Sequence, residues 1–167
     1  MRNAESGRCL PFHIPRSAFA LLLAACTPIT SRPDFRPLPQ ALTLLLVARP
    51  QQIIPVLAAL VAAESLRVRR ASPRDGYLET EWYHARTHRS FADGHHIPDL
   101  AHTVKLRCWA DPYVPGETIL TLEVAYRPRE DPSRTDRDLE APAPKEEDGH
   151  KIAERLLAKL KARFGSP

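Results

Sequence analysis

Apolar and polar residues alternate along much of this chain, and changes in the period of that alternation mark out its elements. Leu42 to Ala48 is a short continuous apolar run, which predicts a strand buried on both faces and ended by Arg49-Pro50-Gln51-Gln52. Ile53, Leu57, Leu60 and Val61 then follow helical spacing, with Ile54 and Val56 widening the apolar side. Proline is tolerated only in the first turn of a helix, so Pro55 places the start near Gln51 to Ile54. Leu66-Arg67-Val68-Arg69 and Leu78-Glu79-Thr80-Glu81-Trp82 switch to a period of two around the turn formers Ser72-Pro73-Arg74-Asp75-Gly76, the signature of a β-hairpin. Pairing Ala71 with Tyr77 sets Arg69 opposite Glu79 and Arg67 opposite Glu81, and puts Leu66 on one face with Trp82.

Further on, His102, Val104, Leu106 and Cys108 alternate with Thr103, Lys105 and Arg107, and Thr118 to Val124 alternates again after the turn at 111–116. Ile152, Leu156, Leu160 and Phe164 recur every four residues. With Asp148 before them, cations in the last turns and Gly165 after, they predict a closing helix. The order β-α-β-β-β-β-α implies an α+β fold: a two-layer sandwich with a largely antiparallel sheet of four to five strands and two helices on one face. The other face is expected to be charged and wet. This order is similar to the helix-grip, TATA-binding-protein-like arrangement in domains of the outer-membrane lipoprotein BamC. The likeness is one of element order, so it implies a fold and not a function.

The first 25 residues have a different character. Arg2, Arg8 and Arg16 supply positive charge, and Ser17 to Ala25 is rich in Ala, Leu and Phe. Such a run is too short for a bilayer, which takes about 20 residues, but it fits the core of a signal peptide. It ends in Leu23-Ala24-Ala25-Cys26, which resembles the lipobox of bacterial lipoproteins. The resemblance implies diacylglyceryl attachment at the Cys26 sulfur, cleavage before it, and acylation (palmitate among the acyl groups) of the new N-terminus. It also implies a place in the cell envelope, anchored to a membrane and facing the periplasm. Thr27, where an Asp would retain such proteins at the inner membrane, favours the outer one. Domain organisation follows: signal peptide 1–25, proline-rich tether 26–40, and one domain over 41–167 with a mobile linker at 128–147.

Charge and cysteine content narrow the picture. The net charge of +4 falls to +2 once Arg2, Arg8, Arg16 and Glu5 are removed with the leader, so the body makes no case for a nucleic-acid partner. If the resemblance holds, Cys9 is removed with the leader and Cys26 carries lipid, which leaves Cys108 alone, expected as a small core residue. His84, His88, His95, His96 and His102 cluster in one stretch with Asp93 and Asp99. Imidazoles beside carboxylates are what zinc or copper takes as ligands, although the spacing matches no defined site. No serine sits in a nucleophile-elbow context, and no glycine-rich phosphate loop is present. Glu79, Glu81 and Glu123 are expected at water-facing strand positions as ion-pair partners, and Trp82 is expected in the core, in phase with Leu78. Trp109 in the outward phase, with Tyr113, forms a candidate binding surface. The expectation is a non-enzymatic envelope lipoprotein without a cofactor. Its domain would bind an envelope protein or cell-wall partner. The alternative is a periplasmic metal-binding protein using the His84–His102 loop.

Overall fold

The computed structural model describes residues 30–92 and 99–165. The chain divides between Thr30 and Ser31, and the second unit carries the fold. Its strands are β1 (Leu42–Leu46), β2 (Val68–Ser72), β3 (Tyr77–Thr80), β4 (Trp82–His84), β5 (Arg89–Phe91), β6 (Thr103–Pro112), β7 (Thr118–Tyr126) and β8 (Ala141–Pro142). The helices are α1 (Pro50–Ala63), the single-turn α2 (Asp136–Leu139) and α3 (Asp148–Phe164). The sheet is antiparallel in the order β1-β7-β6-β3-β2. β4 continues β3 along β6 with β5 beside it, and β8 follows β1 along β7, so the sheet is five strands wide. The α+β sandwich expected from the sequence is the fold observed, with both long helices packed on one sheet face.

The helical layer follows from the apolar spacing. Ile53, Ile54, Leu57 and Val61 of α1 and Ile152, Ala153, Leu156 and Leu160 of α3 pack on Leu78, Val104, Leu106, Cys108, Leu120 and Leu122. Cys108 is fully buried, and burial pushes its thiol well above the ordinary range, as befits a core residue. Gly149 lets α3 approach closely: a Cβ there would meet the Val104 methyls at 2.7 Å. α1 begins at Pro50, earlier than expected. Pro50 takes the first position and the Gln52 side chain accepts the Arg49 N–H at 3.0 Å, which leaves Pro55 exposed in the second turn.

The two helices are joined by charge at one edge. Glu64, at the end of α1, accepts from Arg155 Nη2 at 2.8 Å and Lys159 Nζ at 2.9 Å. The hydrogen bond from Arg155, then that from Lys159, holds its carboxyl at about 2, against an ordinary 4.5. A folded value below the unfolded one gives stability that is complete above about pH 4.5 and lost as pH falls toward 2. Both cations are about half exposed, so Glu64→Gln should cost only about 0.5–1 kcal/mol at pH 7. The difference from wild type should shrink steadily in chemical denaturation as pH falls from 4.5 toward 2. A difference independent of pH would show that packing, not the ion pairs, is being read.

Three sequence expectations are corrected here. β1 is an edge strand, with Thr43 and Leu45 exposed, and is not buried on both faces. The hairpin pairs Ser72 with Tyr77, Ala71 with Leu78 and Arg70 with Glu79, and a bulge at Arg69 precedes the Val68–Thr80 pair. The expected register is therefore off by one at the turn, although Arg69 Nη1 still reaches Glu79 Oε1 at 3.2 Å. Trp82 lies on the face opposite Leu78. Between the pairs Glu79–Arg107 and Tyr83–Val104 the β3–β4 side advances four residues while β6 advances three. The extra residue reverses the phase, so Tyr83 joins the helical core with Leu66 while Trp82 turns away.

Candidate functional site

The sheet face away from the helices holds most of the polar chemistry of the domain, and it is covered. Ser31 to Leu38 lies across one part of it, and the chain from Arg127 through α2 to Glu140 lies across another. Phe35 packs edge-on to Trp109 at 6.2 Å, and Trp109 in turn contacts Tyr77 at 5.6 Å. The Leu38 N–H donates to Glu123 Oε2 at 2.7 Å, and Arg137 Nη2 donates to the Arg36 carbonyl at 2.6 Å. The tether expected over 26–40 is therefore folded onto the domain from Ser31 onward. The linker expected to be mobile over 128–147 instead carries α2 and β8 and buries Leu139 and Ala143.

Beneath this cover the charges of three strands form one network. Arg107, 5% exposed, is its hub. Its guanidinium grips Glu140 through two bonds of 2.6 Å, donates to Glu123 Oε1 at 2.8 Å, and reaches Glu79 Oε1 at 3.2 Å through Nε. Arg137 Nη1 meets Glu123 Oε1 at 2.9 Å and Glu140 Oε2 at 3.0 Å, and Lys105 Nζ lies 3.4 Å from Glu79 Oε1. Arg137 and Arg107 also stack on the Phe35 ring at 4.2 and 5.3 Å, and Lys105 and Arg127 flank the Trp82 ring at 4.7 and 4.8 Å.

The expectation that Glu79 and Glu123 face water is overturned: Glu79 is 5% and Glu123 1% exposed. They are ion-pair partners, but internal ones. Burial pushes the Glu140 carboxyl up, and hydrogen bonding to Arg107 with the charges of Arg107 and Arg137 outweighs it, so the group is held below the ordinary carboxylate range. A cleft of about 220 Å³ opens onto this network between Phe35, Arg69, Tyr77, Lys105 and Asp136. Carboxylates clamped by guanidinium groups are poor proton shuttles at neutral pH, and the Tyr77 hydroxyl is raised by burial beyond use as a base. This face is built as a polar core.

The histidines occupy the far end of the same sheet. His84 is buried: its Nδ1 accepts the Thr87 N–H at 3.2 Å, which leaves Nε2 to carry the proton toward Asp99 Oδ2 at 3.4 Å. His102 lies 6.4 Å away, ring to ring, with Nδ1 3.4 Å from Glu147 Oε2. His88 is exposed and its Nδ1 lies 2.6 Å from the Tyr83 hydroxyl. The structure thus brings His84 and His102 together and turns His88 to a different neighbour. His95, His96 and Cys26 lie outside the described residues. Among the described residues, no group of three or more His, Cys, Asp or Glu is arranged to hold a metal ion.

Of the expected binding pair, Trp109 is 1% exposed and unavailable, because Phe35 closes over it. Tyr113 is 61% exposed, at the tip of the β6–β7 turn. The chain matches no family model and no curated protein. Its surface therefore has to be read from its own residues, and there the distribution of apolar side chains is uneven. The exposed large hydrophobic residues among the described ones are Leu45, Val47, Tyr113 and Val114, and all four lie at one end of the sheet. Tyr113-Val114 between Pro112 and Pro115 is legible in the sequence as an apolar turn tip. Leu45 and Val47 are not, because only the strand order makes β1 an edge.

Proposed function

We propose that this protein is a lipid-anchored component of the bacterial cell envelope, attached through Cys26, whose single domain acts without catalysis as a binding or assembly module. The observation that carries this reading is the packing of Ser31 to Leu38 on the sheet. It begins five residues after Cys26, so an anchor there is followed almost at once by folded domain. An extended chain of five residues spans at most roughly 17 Å. The domain is thereby held at a membrane surface, and not at the roughly 40 Å that a free polyproline-like tether to Gln40 would allow.

The absence of catalysis in this reading rests on the charged face, where each acid and base of the network is engaged with another. The surfaces left for a protein or cell-wall partner are the polar loops at the histidine end. They are the exposed β4–β5 turn, Arg86 to Arg89, and the exposed stretch Pro128 to Thr135 that follows β7. Loops on a rigid scaffold are where recognition is normally carried. The metal-binding alternative, using the His84–His102 loop, draws on the proximity of His84 and His102, with His95 and His96 outside the described residues.

Cys26→Ser should abolish incorporation of a palmitate analogue and move the protein out of the membrane pellet. Labelling that persists in the variant would sink the reading. Photoreactive residues at Thr87 and Ser133 should trap an envelope partner that the same group at Ala59, exposed on α1, does not. Equal trapping from all three positions would mean that these loops are not the binding surface.

A further inference from the structure

The apolar end of the sheet and the exit of the N-terminal chain coincide. Ser31 donates through its N–H and hydroxyl to Asp75 Oδ2, at 2.9 and 2.8 Å, in the β2–β3 turn. Arg32 pairs with Asp111, where β6 ends, at 2.6 Å. These two turns are neighbours: Ala110 donates its N–H to the Gly76 carbonyl at 2.7 Å, and Gly76 adjoins Pro50 at the start of α1. Pro112 to Glu117 line a shallow depression with Arg49, Pro50 and Gln51, and Tyr113 lines a second with Leu44, Leu45 and Ile119. Ser31 and Arg32, where the folded domain begins, are therefore held at the β2–β3 turn and the end of β6, the end of the sheet that also carries the β6–β7 turn.

We infer that this end of the domain docks on the lipid bilayer itself, with Tyr113 and Val114 seated in the headgroup–acyl boundary. The inference rests on the lipid-anchored reading above, because it uses the short reach of at most roughly 17 Å between Ser31 and Cys26. An anchor on so short a lead brings whatever lies around Ser31 against the membrane. What lies there is an aromatic ring with a polar tip, a branched aliphatic residue and two flanking prolines, the composition that interfacial segments use. Leu45 and Val47, 47% and 50% exposed, extend the apolar area along the β1 edge. Exposed Arg49 and Arg74 stand beside it, suited to anionic headgroups. Apolar residues gathered at one end, and absent from the exposed large residues elsewhere among those described, mark an interaction surface. The bilayer is the occupant that the chain exit selects.

The test uses the lipidated full-length protein in phosphatidylethanolamine–phosphatidylglycerol vesicles whose acyl chains are brominated near the headgroup. Trp82 and Trp109 are buried and supply a constant background. Val114→Trp adds a reporter at the turn, and Thr87→Trp adds one at the opposite end of the sheet. Bromine should remove most of the emission that Val114→Trp adds and leave that of Thr87→Trp unchanged. Should Val114→Trp not fold, Tyr113→Trp reads the same position. Protein that floats with the vesicles while the turn reporter stays unquenched overturns this inference alone. That outcome would hold if a second copy or another protein covered the patch. Equal quenching at both ends overturns it as well. Wild-type protein that carries no lipid and does not float overturns this inference and the anchored reading together.

Discussion

Arg107→Met should destabilise the domain by about 3–5 kcal/mol, because it leaves buried carboxylates without their shared counter-charge. The side chain is replaced by one of similar reach, so lost packing is a minor part of the cost. Glu140 loses its bidentate partner and Glu123 a bond of 2.8 Å, while Glu79 keeps Lys105 and Arg69. The pH dependence identifies the cause. In the wild type the Glu140 carboxyl is held below its ordinary range, so its contribution is complete above the unfolded value and lost as pH falls through the folded one. In the variant Arg137 alone opposes burial, so the same group rises from its wild-type position and loses part of the stability it contributes on the acid side. Urea titrations at several pH values should therefore show a shallower loss of stability on acidification in the variant than in the wild type. Parallel slopes would show that the network is not the source of the loss. Arg107→Lys should recover only part of the stability, since an ammonium cannot make the two parallel bonds to Glu140.

Gly76→Ala should cost about 2–4 kcal/mol, the sum of a left-handed backbone and a collision. Gly76 has φ +61°, and a Cβ there would come far inside contact distance of the Ala110 carbonyl oxygen, with Pro50 just beyond. The obstruction is backbone, so no side-chain rotation relieves it. The turn also holds Asp75, which Ser31 and Ser72 cap. Displacing it should loosen the N-terminal segment as well, and limited proteolysis near residues 31–36 should be faster in the variant. Thermal unfolding that matches wild type would mean that the turn can move away from β6, contrary to the close Gly76–Ala110 pairing.

Much of this fold is legible because local rules and tertiary demands agree. The spacing of Ile152, Leu156 and Leu160 makes one face of α3 apolar wherever it packs, and that face is the one buried. Ser72 to Gly76 has only turn-forming choices, so the hairpin is where the sequence places it. Ser72 pairs with Tyr77, which puts the register off by one next to the turn, and the bulge at Arg69 restores the expected register at Val68–Thr80. The β4–β5 hairpin was harder to see, since Arg86-Thr87-His88-Arg89 reads as a polar connection and its strands are three residues each.

The chain alone determined the period of each element, the turns, the two apolar helix faces, and a cysteine pattern resembling that of anchored proteins. Alternation in a strand separates two faces, but it cannot say what lies against either one, and there the tertiary structure decided. Lys105, Arg107 and Glu123 read as solvated because charge normally faces water. They are internal here because Phe35 and α2, distant in sequence, return over them, and because each charge finds a partner that offsets its desolvation. Trp109 lost its place on the surface to the same cover. Tyr113 kept its exposure because it lies past the end of β6, beyond the reach of either covering segment.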